Sequence, residues 1–184
     1  MNKRKEKVNA QLLNEIDPKN HPKLKTTLDA LSISGTKEIL PPVVQLMNVN
    51  EPDATENKLI VEFLSSIKDE SAIEEFISML ENEAFKPYQS LLLSAMWNST
   101  LDFSWYIDVV VKTAVEGSLV DALDCLTIIE NMEGPFIESK ILESKLILID
   151  YLENKQEIDS QKQTFLQSIA LKLKTIQIEL DSEE

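Results

Sequence analysis

Apolar residues along this chain recur three and four positions apart, and hardly anywhere two apart. That spacing lines them up along one side of an α-helix, whereas a half-buried strand needs strict alternation. Leu40, Val43, Val44 and Met47 mark one stripe. Ile60, Phe63 and Leu64 mark the next, followed by Ile73, Phe76, Ile77 and Leu80. Leu91, Leu92, Ala95 and Met96 come after them, then Ile107, Val110, Val111 and Ala114, then Ala122, Leu126 and Ile129. Each stripe is about 12 to 14 residues long, the length of an ordinary globular helix. Only three glycines occur in 184 residues. Three cannot supply a glycine-rich nucleotide loop as well as the turns of a multi-stranded sheet. The expected class is all-α.

The stripes also superpose on one another. Leu40, Val43, Val44 and Met47 shift by 33 onto Ile73, Phe76, Ile77 and Leu80, and these shift by 34 onto Ile107, Val110, Val111 and Ala114. In the alternate helices, Ile60, Phe63 and Leu64 shift by 32 onto Leu92, Ala95 and Met96. Two helices per unit at a period of 32 to 34 are the mark of stacked helical repeats. Over about residues 22–155 the chain resembles a degenerate HEAT/armadillo-type α-solenoid. It lacks the Asp of the turn within the repeat, and the Arg following it, that better-conserved HEAT units carry. The resemblance implies a right-handed solenoid of about five antiparallel helix pairs and a role as a binding scaffold. A compact helical bundle remains the alternative. The expected layout is one domain over 1–184: a basic leader helix and loop at 1–21, a repeat body at 22–155, and a capping helix with an acidic tail at 156–184.

Helix starts are expected where a Ser or Asp stands three residues before an acceptor: Ser71 with Glu74, Ser118 with Asp121, Ser160 with Gln163, and Asp53 with Glu56. Gly117 and the pair Gly134-Pro135 are expected to stop helices. The last helix carries Leu166, Ile169, Leu173, Ile176 and Leu180 at three/four spacing. This seam either packs on the preceding helix, through Ile137, Ile141, Leu142, Leu146, Ile149 and Leu152, or pairs with a second copy. A monomer and a homodimer through the C-terminal helix both stay open.

Charge narrows the function. Lys and Arg total 18 against 32 Asp and Glu, a net of -14. Residues 1–25 carry +4, including Lys3, Arg4, Lys5 and Lys7, which leaves -18 for residues 26–184. Such a body repels nucleic acid, whose phosphates require clustered cations. It also argues against the base-excision glycosylases that HEAT-like folds can host. It would draw a cationic partner in faster. Helix N-termini account for part of the acidity, because the macrodipole favours carboxylates there.

No candidate catalytic set emerges. One Cys and one His cannot build a Cys/His zinc site, and no carboxylate-rich calcium loop is present. His21 reads as a turn residue before Pro22. Cys125 falls on an apolar stripe and is expected to be buried and inert. Neither cofactor nor metal is expected. No segment approaches the roughly 20 apolar residues of a membrane span, and no apolar run follows the basic N-terminus, so a cytoplasmic, non-enzymatic protein is expected. Trp97, Phe103, Trp105 and Tyr106 fall within ten residues. They either plug the joint between two helix pairs or form a partner-binding patch, with Trp105 expected to be the most exposed. The main functional expectation is a scaffold for a basic protein partner. The alternative is a regulatory adaptor with a small-molecule pocket between helices.

Overall fold

The computed structural model describes residues 10–14, 16–34, 37–154 and 159–183. Among them every regular element is helical and no strand occurs. Residues 10–14 are helical, and the clustered cations of the basic leader lie outside the described residues. The main helices are α1 (His21–Ser34), α2 (Leu40–Val44), α3 (Thr55–Ser65), α4 (Ser71–Glu81), α5 (Gln89–Trp97), α6 (Ile107–Glu116), α7 (Leu119–Glu130), α8 (Glu138–Asn154) and α9 (Ser160–Glu183). Short 3-10 turns at Lys37–Ile39, Glu83–Tyr88 and Ser104–Tyr106 lead into α2, α5 and α6. The chain divides after Leu101 into two compact units.

In the first unit, α1, α3 and α5 begin at His21, Thr55 and Gln89, each 34 positions after the last. Helix α3 packs on both α1 and α5, while α2 packs on α4. Alternate helices run the same way. The starts of α1 and α3 meet where His21 Nε2 lies 3.3 Å from Glu56. Those of α2 and α4 meet through Lys37 and Glu74 at 2.9 Å. The ends of α3 and α5 meet where the Ser65 hydroxyl donates to the Ala95 carbonyl at 3.2 Å. The core of this unit is built from Leu24, Leu31, Leu40, Ile60, Leu64, Phe76 and Leu92, all essentially fully buried.

The second unit repeats the scheme. Helix α6 packs on α7 and α8, and α9 packs on α7 and α8. Helices α6 and α8 run parallel, because Asp108 and Lys140 join their first turns at 2.6 Å. Helix α9 runs against them: Lys162 in its first turn reaches the last carbonyls of α6. The seam residues Leu166, Ile169, Leu173 and Ile176 are buried within the chain, as the capping alternative expects.

Helix starts partly correct the sequence reading. Ser118 and Asp121 do form a reciprocal capping box. Ser71 and Ser160 do not cap. Asp69 accepts from the Ser71 amide at 2.9 Å, and Asp159 accepts from the amides of Gln161 and Lys162. An Asp stands just upstream of each Ser, and its longer carboxylate takes the orphan amides first. The residue before α3 is Ala54 rather than Asp53, with no side-chain cap. Gly117 does end α6. A Cβ there would lie 2.7 Å from that of Asp121, so the capping box requires glycine. Gly134 has φ +93, a conformation that L side chains rarely adopt.

Asn57 holds the α2–α3 loop. Its side chain is 1% exposed. Its Oδ1 accepts from the Asn48 amide at 2.7 Å, and its Nδ2 donates to the carbonyls of Asn48, Glu51 and Pro52. Removing it orphans buried backbone groups on both sides of the loop. Asn57→Ala is expected to lower stability by about 2–3 kcal/mol. Asn57→Asp, which keeps the acceptor but loses the donor, should cost nearly as much. Urea unfolding followed by circular dichroism measures both.

Candidate functional site

The four aromatic residues singled out in the sequence are divided by the unit boundary. Trp97 closes α5 and is 37% exposed. Phe103 is 1% exposed, a core residue at the start of the second unit, and Tyr106 is half-buried. Trp105, in the 3-10 turn before α6, is 59% exposed. Within the turn Phe103 and Ser104 are buried while Trp105 is exposed.

The base beneath Trp105 is polar and fully engaged. The Asp102 carboxylate accepts from the Ser104 amide at 2.8 Å and from the Glu133 amide at 3.1 Å. The buried Ser104 hydroxyl donates to Asp102 and accepts from the Gly134 amide at 3.0 Å. This cross-tie fixes the turn carrying Trp105 to the loop that enters α8. One turn further on, Asp108 is buried in the first turn of α6, where the macrodipole favours its charge. Its hydrogen bond to Lys140 raises the pKa of that lysine, and Lys140 also reaches Glu143 at 3.5 Å. The Trp105 turn therefore projects from a rigid base.

A second polar cluster lies where α6 ends. Lys162 is 7% exposed, yet its ammonium donates to the carbonyls of Val115 at 2.8 Å and Gly117 at 2.6 Å and lies 5.3 Å from the Tyr151 ring centroid. The cation satisfies carbonyls that have no partner within the helix, at the negative end of its dipole. Cys125 is buried nearby, and desolvation pushes its thiol well above the usual range. That is the opposite of an activated nucleophile. His21 is the first residue of α1 rather than a loop residue. Among the described residues no group of three His, Cys, Asp or Glu could hold a metal ion, and no helix is long and apolar enough to cross a membrane.

Helices α7 and α9 leave an apolar groove of about 360 Å³ between Leu119, Val120, Leu123 and Phe165. Its only polar lining comes from Gln161 and Thr164, so it lacks the convergent polar groups that orient a small ligand.

The outer side of α8 corrects the sequence reading most. Ile141, Ser144 and Leu148 face its neighbours and are buried, but Leu142, Leu146 and Ile149 are 49%, 67% and 50% exposed. Ile137, just before the helix, is also exposed, as is Ile178 on α9. Apolar residues occupy more of the α8 circumference than α6 and α9 can cover.

No known family model matches the chain, nor does any curated protein or solved structure.

Asp124, half-buried on α7, has its carboxyl pushed up to about 6, first by desolvation and then by the neighbouring charge of Asp121. Folding therefore favours its protonated form. Its contribution to stability is full below the ordinary value of 3.8 and is lost as pH rises through about 6. Asp124→Asn is expected to stabilise the protein at neutral pH by about 1 kcal/mol, the full linkage being reduced by solvent screening. At about pH 2.5 it should be neutral, because the carboxyl is then protonated in both states. Paired urea titrations at the two pH values read the difference.

Proposed function

We propose that this chain is a non-enzymatic interaction scaffold, a cytoplasmic HEAT-like right-handed solenoid of stacked helix pairs that binds a basic protein partner. Two observations support the architecture. Alternate helices start 34 residues apart in the first unit. Parallel packing of every second helix recurs within each unit. Stacked pairs need both, since each helix then covers the stripe of the one two places along.

The observation that carries the functional reading is Trp105. A tryptophan 59% exposed, on a turn pinned by Asp102 and Ser104, is costly to leave in water and well suited to anchor a partner. Around it the body carries -18 over residues 26–184, which favours cationic partners through faster encounter.

Trp105→Ala should cost at most about 1 kcal/mol of stability, as for an exposed side chain. Its effect on binding should be larger. The full chain, used as bait in native extract, is expected to retain a basic protein at low salt and release it at roughly 0.5 M salt. The variant should bind that protein about tenfold more weakly while keeping its helical circular dichroism. Unfolding of the variant, or capture unaffected by it, would count against the aromatic anchor. Affinity unchanged across salt would remove the electrostatic part.

A further inference from the structure

Helix α8 is apolar on two opposed sides. The inner side, Ile141, Ser144 and Leu148, is covered. The outer side carries Leu142, Leu146 and Ile149 at i, i+4 and i+7, which puts them in one line over two turns. Isolated exposed leucines are ordinary, but a continuous line of half- to two-thirds-exposed side chains is not. It lies on the side turned away from α6, because Lys140 and Ser144 occupy the side toward it. A helix that is apolar on both sides is one built to be covered on both.

Charge indicates what covers it. Glu143 and Asp150, seven residues apart, flank the line on one side, Glu138 flanks it on the other, and Glu153 follows it at the far end; all four are exposed. The two lysines of α8 are drawn elsewhere. Lys140 is held by Asp108 at 2.6 Å and also reaches Glu143 at 3.5 Å, while Lys145 donates to Gln177 of α9 at 3.3 Å. Glu138, Asp150 and Glu153 carry no lysine partner among these pairs and keep the rim net acidic. A second copy docked face to face would set carboxylates against carboxylates, and an anionic lipid surface would be repelled in the same way.

We infer that the outer face of α8 is a docking surface for a cationic amphipathic helix, its apolar side laid on Leu142, Leu146 and Ile149 and its lysines or arginines on the acidic rim. This rests on the scaffold reading and adds the partner's chemistry and place. The recognised segment spans about three to four turns, with large apolar residues at i, i+3/i+4 and i+7 and cations on both flanks.

The test uses the full chain and a labelled amphipathic peptide of about 14 leucines and lysines, with a scrambled peptide of the same composition as control. Fluorescence anisotropy should show the amphipathic peptide binding about tenfold tighter than the scrambled one. The double variant Leu146→Ser with Ile149→Ser should abolish that preference while keeping the parent's helicity and melting profile, since both side chains are exposed. Asp150→Asn with Glu153→Gln should keep the preference but flatten its salt dependence.

Equal binding of the two peptides to the parent protein would overturn the inference, as would an unchanged preference in the Leu146/Ile149 variant. So would a parent dimer in sedimentation that the same variant converts to monomer, because the occupant would then be a second copy. The two readings fail separately. A salt-sensitive partner that needs Trp105 but ignores Leu146→Ser with Ile149→Ser keeps the scaffold and removes this surface. A peptide preference with no salt-sensitive partner in extract removes the scaffold reading itself.

Discussion

Within each unit the packing rests on one recurring contact, a helix against the helix two places along the chain: α1 on α3, α3 on α5 and α2 on α4 in the first, α6 on α8 and α7 on α9 in the second. A 34-residue interval between starts lets α1, α3 and α5 lie side by side in register. Polar groups then meet at matching ends, as His21 with Glu56, Lys37 with Glu74 and Asp108 with Lys140 do. The first two pairs are each open to solvent on at least one side, through His21 and Glu74, and add little stability. They mark register rather than enforce it. Asp108 differs because it is buried, so Lys140 is needed to keep its charge tolerable.

Packing of this kind leaves short connections, held mostly by local polar chemistry, with glycine required at Gly117 and at Gly134. Asp and Asn side chains take up amides at Asp69, Asn82, Asp102, Asp121 and Asp159. Part of the acidity of the body, at Asp69, Asp102, Asp121 and Asp159, is thereby spent on helix starts. The carboxylates left on the surface, such as those along the outer side of α8, are the ones available to a partner.

Trp105 and the outer face of α8 share the second unit and a common origin. Both begin within a turn or so of the Asp108–Lys140 pair and the Asp102–Ser104 cross-tie. Those ties are buried or half-buried, Asp108 being held through one carboxylate oxygen while its other is buried without a hydrogen-bond partner, and they tie the Trp105 turn and the start of α8 to α6 and its entry loop. Rigid presentation lowers the entropy lost on binding and is what lets a modest patch act as an anchor.

The sequence by itself determined the all-helical class and the order of the apolar stripes, because three/four spacing is a local property; helix starts were less legible, since short 3-10 turns lead into α2, α5 and α6. It also placed Cys125 inside and picked out Trp105 as the most exposed of the four clustered aromatics, but left open whether the C-terminal seam packs within the chain. Only the tertiary structure decided how α8 is rotated. Its apolar residues run more than halfway round, so periodicity alone cannot say which side faces α6 and α9. The same holds for Asn57 and Lys162, polar residues with no apolar spacing to betray burial. Each is buried because carbonyls and amides from elsewhere in the fold converge on it, and no local pattern records that convergence.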